Sequence, residues 1–281
     1  MDRLPCTQRT FPLQLAPAYV AHYALSLHFL KMMLERLGEP AALDTWRQAF
    51  EGADDELFYR TLEQGWQVEP GSMAGEVEAS LAGLLVHLFR QPVQGVSAEQ
   101  AGELVDKAPP FAQLTERFPM LNAQRTSTTY DALHLFRHGL ARLAETLIER
   151  YGKAGEYLVL ETMLREIASR PVQETSPEEF FDLCSSWYNP EAETPTISSA
   201  GQELELKRTG ENELTMRVTA CEWARYYRER HPRVGYLMAC STDAAYFQSY
   251  HPDIRLQRTT TLMEGEDHCD FRIYTSGSAQ E

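Results

Sequence analysis

Two cysteines near the end of the chain lie close in sequence to groups that exchange protons. Cys240 precedes Asp243 by three residues, and Cys269 directly follows His268. A thiol, a carboxyl group and an imidazole can supply the nucleophile and the acid or base of a hydrolytic reaction. Neighbouring side chains of a strand point to opposite faces, whereas residues three apart share a face of a helix. We therefore predict that Cys269 meets Cys240 or Asp243 across the fold, with His268 as a further candidate catalytic residue.

A packing role is the alternative interpretation for both thiols, because free cysteine is among the most frequently buried residue types. The remaining cysteines, Cys6, Cys184 and Cys221, are interpreted as structural. The chain has five cysteines, an odd number, and they form no CxxC pair. This pattern predicts reduced thiols rather than a disulfide framework.

A metal site is a second alternative for the same residues. Cys240, Cys269 and either His268 or Asp243 would be acceptable zinc ligands. The long separation between the two cysteines matches no compact zinc-binding pattern. We therefore predict no cofactor and keep a bound zinc ion as the alternative.

Three further residues are candidates for substrate binding. Arg258 and Arg272 lie on the last two predicted strands of the chain. Their guanidinium groups would be able to bind a substrate carboxylate through hydrogen bonds. Tyr226 would be able to form one wall of a site for a flat ring. The alternatives are that the arginines are ordinary exposed charges and that Tyr226 belongs to the core.

The chain up to about residue 190 is predicted to be helical. Apolar residues recur there every three or four positions, which is typical of amphipathic helices. One predicted helix ends at Gly38, a second spans residues 72–90, and a third ends at Gly152. A further helix is predicted to start with a capping box formed by Ser176 and Glu179.

The apolar period changes from about 3.6 to two after residue 190. Residues 203–219 are predicted to form a hairpin, followed by two helical segments and then two strands about a turn at Gly265. The order β-β-α-α-β-β predicts an antiparallel sheet with helices on one face. The fold class is therefore α+β, with a helical domain at 1–190 and an α+β domain at 191–281.

Composition and charge narrow the class of protein. The 281 residues are 43% hydrophobic and carry a formal charge of -15, with 41 acidic and 26 basic side chains. This balance argues against nucleic acid or an anionic membrane as the main partner. No signal peptide and no membrane-spanning segment is indicated, so we expect a cytoplasmic protein with a small-molecule substrate. A second copy of the chain, bound through the helical domain to form a homodimer, is a candidate partner.

The segment ACEWARYYRERHPRVGYLMACSTDAAYFQSYHPDIRLQRTTTLMEGEDHCDFRIY resembles the C-terminal signature of the L-2-amino-thiazoline-4-carboxylic acid hydrolase family. The resemblance covers roughly residues 217–275. It implies an intracellular hydrolase that opens a cyclic C=N or amide bond in a small heterocyclic acid. The matching positions are Cys240, Asp243, the pair His251 and Pro252, Arg258, Thr261, Leu262, Gly265, Cys269, Asp270 and Phe271.

Two functions from different classes follow. The first is a hydrolase acting on a carbon–nitrogen bond of a small cyclic, thiazoline-like amino-acid derivative. The second is a non-catalytic small-molecule-binding or sensory module with the same α+β domain. A hydrolase needs an ionisable thiol or an activated water near an acid, whereas a sensor needs only a shaped pocket with a few polar groups.

Overall fold

The computed structural model of the protein describes residues 5–14, 25, 28–50, 124–170, 175–189 and 192–275. The helix predicted at 72–90 lies outside these residues. The described residues form two compact units. One comprises those within Met1–Pro12, Thr126–Leu133 and Met163–Glu281, and the other those within Leu13–Arg125 and His134–Thr162. The domain boundary near residue 190 stays a prediction.

Helices dominate the described part of the chain before residue 200. Helix α1 covers residues 28–37, and Gly38 ends it with a positive φ of 77°. The others are α2 (Glu39–Phe50), α3 (Thr129–Tyr151), α4 (Lys153–Ala168), α5 (Pro177–Trp187) and α6 (Ile197–Gly201). The predictions of helices ending at Gly38 and Gly152 are thus confirmed.

The start of α5 follows its sequence signal. The Ser176 side chain accepts a hydrogen bond from the Glu179 N–H, and the Glu179 carboxylate accepts one from the Ser176 N–H. These two bonds satisfy backbone donors that have no partner within the helix. The predicted capping box is therefore confirmed.

A small sheet in the first part of the chain was not predicted. Strands β1 (Thr10–Gln14) and β2 (Gln124–Thr128) form a two-stranded sheet. The hydroxyl-bearing residues of this segment are, by their type, signals for the start of the helix that follows. Thr128 does serve that purpose, since its Oγ1 accepts a hydrogen bond of 3.1 Å from the Asp131 N–H. The short run before it lacks alternating apolar residues, so it gave no strand signal.

The C-terminal part of the chain contains an antiparallel four-stranded sheet in the order β3-β4-β6-β5. The strands are β3 (Gln202–Gly210), β4 (Glu213–Cys221), β5 (Ile254–Gln257) and β6 (Cys269–Thr275). Helix α7 (Glu222–Arg230), a π-helical turn (Tyr236–Cys240) and helix α8 (Asp243–Gln248) lie between β4 and β5. The predicted hairpin, the β-β-α-α-β-β order and the α+β fold class are confirmed.

The inner face of this sheet packs on helices α5 and α8. Leu214 and Ile273 of the sheet are fully buried in one cluster with Phe180 of α5 and Phe247 of α8. A second buried cluster joins Met216, Val218 and Cys269 at the other end of the same face. The candidate thiol Cys269 therefore lies where the hydrophobic core meets the loop that precedes β6.

Candidate active site

The segment that carries Cys240 and Asp243 is not one regular α-helix. Cys240 ends the π-helical turn, and Asp243 begins α8 after two intervening residues. π-turns are uncommon and often occur at functional sites. Gly235 permits the turn to pack closely, because a Cβ there would lie 2.6 Å from Tyr227 Cβ and 2.7 Å from Met263 Sδ. The start of the π-helical turn is thus packed closely against Tyr227 and Met263.

Arg258 joins the two halves of this segment. Its guanidinium group donates a hydrogen bond of 2.5 Å to the Asp243 carboxylate and one of 2.9 Å to the Cys240 carbonyl oxygen. The guanidinium carbon lies 5.2 Å from the ring centre of Phe271 and 5.8 Å from that of Tyr236. Only 10% of the Arg258 side chain is exposed, so the guanidinium group of this ion pair is largely shielded from water.

The carboxyl group of Asp243 titrates near neutrality. Burial raises its pKa from the usual range to about 6, although the charge and the hydrogen bond of Arg258 lower it. The side chain is 28% exposed, so solvent still reaches it. A carboxyl group with this pKa changes protonation state easily at physiological pH, which suits a general base or acid.

The two candidate thiols meet at one hydroxyl group. Thr261 is buried, and its Oγ1 lies 3.9 Å from Cys240 Sγ and 3.7 Å from Cys269 Sγ. The Leu262 N–H also donates to Cys269 Sγ over 3.2 Å. This N–H is a backbone donor directed at the Cys269 sulfur. The fold thus brings together Cys240, Asp243, Cys269 and Arg258. We call these four residues and Thr261 the thiol–carboxylate site.

Two residues beside this site had no signal of function in the sequence. Burial raises the pKa of Cys240 and of Cys221 to about 12 each, and the nearby charge of Asp243 adds to both shifts. Burial, followed by the charge of Asp243, also raises the pKa of the Tyr188 phenol. Cys221 and Tyr188 both pack against the cluster that contains Cys269. Both therefore remain neutral neighbours of the thiol–carboxylate site.

His268 and Arg272 lie on the opposite face of the sheet from Cys269. This follows from the strand alternation of β6, in which Cys269 and Ile273 are buried. The His268 ring pairs with the Asp267 carboxylate, and Arg272 forms an ion pair of 2.6 Å with Glu213 of β4. Both residues line a polar groove of about 450 Å³ on that outer face.

Tyr226 lies on the buried face of α7. It is fully buried, and its ring packs edge to face against Tyr130 at 5.3 Å and Tyr227 at 5.2 Å between ring centres. His231 adds a third ring at 6.0 Å. These contacts correspond to the packing alternative for Tyr226.

The loop that carries Thr261 is held by Asp270. The Asp270 carboxylate accepts hydrogen bonds from the N–H groups of Thr259 and Thr260 at 2.8 and 2.6 Å, and from both of their hydroxyl groups. Partial burial opposes ionisation, but these hydrogen bonds outweigh it and hold the pKa of Asp270 well below its usual range.

Replacing Asp270 by asparagine is expected to lower the free energy of unfolding by about 2 kcal/mol near neutral pH, because the bonds are to a charged acceptor. Since the folded-state pKa is depressed, this contribution is fully present above the unfolded-state pKa of about 4 and shrinks progressively as pH falls from there through the lower folded-state pKa. Urea unfolding of both proteins at about pH 7 and pH 3 measures this. An equal difference at both pH values would contradict the assignment.

No three His, Cys, Asp or Glu side chains among the described residues are arranged to hold a metal ion. The zinc alternative therefore has no ligand set within 192–275, where its predicted ligands lie. In the part of the chain that the structure describes, no helix has the length and hydropathy required to cross a membrane.

The fold and the site together describe an α+β protein with an arginine-paired carboxyl group near two thiols. The model of the family described as L-2-amino-thiazoline-4-carboxylic acid hydrolase matches residues 134–273. The match includes every residue of the thiol–carboxylate site and confirms the resemblance seen in the sequence. At the level of the family, it supports a hydrolase-like function. Comparisons with curated proteins and with solved structures gave no match.

Proposed function

We propose that this protein hydrolyses a carbon–nitrogen bond of a small cyclic, thiazoline-like amino-acid derivative. The observation that carries the proposal is the Asp243 carboxyl group, whose pKa of about 6 and pairing with Arg258 suit a general base, next to the thiols of Cys240 and Cys269. The family match supports the same reaction class.

The reaction requires attack on an amidine-like carbon. In the proposed route Cys269 Sγ adds to that carbon, the ring C–N bond breaks, and the departing nitrogen takes up the thiol proton and a proton from the exocyclic nitrogen. Asp243 then removes a proton from water as the water attacks the sulfur-bound carbon. The bond to Cys269 breaks and its thiol is restored, so the net reaction adds one water molecule to the ring.

Cys269 suits the nucleophile better than Cys240 does. The Leu262 N–H donates to Cys269 Sγ, whereas burial and the charge of Asp243 raise the pKa of Cys240 to about 12. Thr261 lies between the two sulfur atoms and provides a hydroxyl group that can accept from one and donate to the other. Direct attack by an Asp243-activated water is the alternative route.

The pH dependence of kcat/KM tests the role of Asp243. A general base must be ionised, so kcat/KM is expected to rise about tenfold per pH unit up to about pH 6 and to level off above it. The residual activity of Asp243→Asn should lack this rise. A profile that is flat between about pH 5 and 7, or a rise that persists in the variant, would assign the base elsewhere.

A further inference from the structure

A second cavity opens beside the thiol–carboxylate site, between α7 and the short 3₁₀ turn Leu262–Glu264. Its volume is about 450 Å³, and its lining residues are Cys221, Ala224, Arg225, Arg228, Glu229 and Leu262. This volume lies within the range of about 300–1,000 Å³ that is typical of small-molecule sites. The cavity is therefore large enough for a single substituted ring.

Leu262 connects this cavity to the predicted nucleophile. Its carbonyl oxygen accepts a hydrogen bond of 3.3 Å from the Arg228 guanidinium group, and its N–H donates to Cys269 Sγ over 3.2 Å. One residue thus separates the guanidinium group from the thiol.

Arg228 is less engaged with protein groups than Arg225, one turn earlier on α7. Arg225 donates bonds of 2.8 and 2.6 Å to both oxygens of the buried Glu222 carboxylate. The exposed Arg228 guanidinium group makes its hydrogen bond to Leu262 alone among the described residues, out of the five N–H donors of an arginine. Arg228 is thus able to bind a carboxylate through two parallel hydrogen bonds.

The arginines predicted from the sequence are already engaged with protein groups. Arg258 donates to Asp243 and to the Cys240 carbonyl, and Arg272 pairs with Glu213 on the outer face of the sheet. If Arg258 turned to a substrate carboxylate, Asp243 would lose the cation that offsets its burial.

We propose that the cavity beside α7 binds the carboxylate group of the substrate, with Arg228 as the residue that recognises it. This inference rests on the proposed hydrolase function. The ring would lie over Leu262 with its amidine carbon toward Cys269 and Asp243. Arg228 would then select rings that carry a carboxylate over analogues that lack it, and most of its effect would fall on substrate binding.

The test compares two substrates in two variants. L-2-amino-thiazoline-4-carboxylate carries the carboxylate, and 2-amino-thiazoline lacks it. Arg228→Gln is expected to raise KM for the acid by about 10- to 100-fold, to change kcat by no more than about threefold, and to leave KM for the ring without a carboxylate unchanged. Arg217→Gln is the matched control, since it removes an exposed positive charge from the outer face and should change neither value. Equal losses for both substrates, or no loss for the acid, would overturn the assignment.

Binding of thiazolidine-4-carboxylate separates this proposal from the hydrolase function. That compound keeps the carboxylate but has no amidine carbon, so calorimetry measures binding without turnover. One outcome is that the parent protein binds this compound but opens no ring, and that Arg228→Gln no longer binds it. This outcome would support Arg228 as the carboxylate-binding residue and would contradict the hydrolase function. If the parent protein binds thiazolidine-4-carboxylate and Arg228→Gln binds it equally well, Arg228 is not the carboxylate-binding residue, even where the parent protein hydrolyses the ring. Absence of both binding and turnover overturns both proposals.

Discussion

Replacing Asp243 by asparagine is expected to lower kcat/KM for a thiazoline acid by about 100-fold or more, which is the usual loss when a general base is removed. Asparagine has nearly the same shape and retains an acceptor for the Arg258 guanidinium group, so the fold should persist. Initial rates, with the melting temperature of each protein as a check on folding, provide the measurement.

Asp182→Asn is the matched control for this substitution. Asp182 also forms an ion pair with an arginine, Arg208, but the pair is exposed on α5. Exposed pairs contribute little to stability, so the control should keep both its rate and its melting temperature. A rate in Asp243→Asn equal to that of the control would remove Asp243 from the chemical step.

Replacing Cys269 by alanine is expected to lower kcat by about 100-fold or more, because the proposed route forms a covalent bond to this sulfur. The structure gives Cys269 Sγ the Leu262 N–H as a donor and Thr261 as a hydroxyl neighbour. Intact-mass analysis of protein stopped during turnover should show an adduct with the mass of the substrate, and the variant should show none.

Cys184→Ala tests whether loss of any buried thiol has the same effect. Cys184 is fully buried in the aromatic cluster of α5, and burial raises the pKa of its thiol to about 12. Its removal should cost stability but not kcat. If Cys269→Ala turns over at the parent rate without an adduct, Cys269 is a packing residue and Asp243 activates water directly.

The sequence predicted the local geometry of the site better than its assembly. Strand alternation correctly separated Cys269 from His268. Whether Arg258 would bind a substrate or a protein group, however, depends on how β5 and α8 approach each other. That approach is set by tertiary packing, which the spacing of residues along the chain does not encode.

The contact of Thr261 with the two thiols is a second feature of the site that depends on tertiary packing. Its hydroxyl group lies between Cys240, 21 residues earlier, and Cys269, eight residues later. The connection depends on the loop after β5, which Asp270 holds through hydrogen bonds to Thr259 and Thr260. No periodic pattern marks such a loop, so only the resemblance to the family singled out Thr261.

Ring opening of L-2-amino-thiazoline-4-carboxylate by the purified protein, followed by mass spectrometry, tests the central claim most directly. We predict that the parent protein converts the ring to an open-chain amine heavier by one water molecule, and that Asp243→Asn does so about 100-fold or more slowly. An unchanged ring after prolonged incubation with folded parent protein, or equal conversion by the two proteins, would contradict the account.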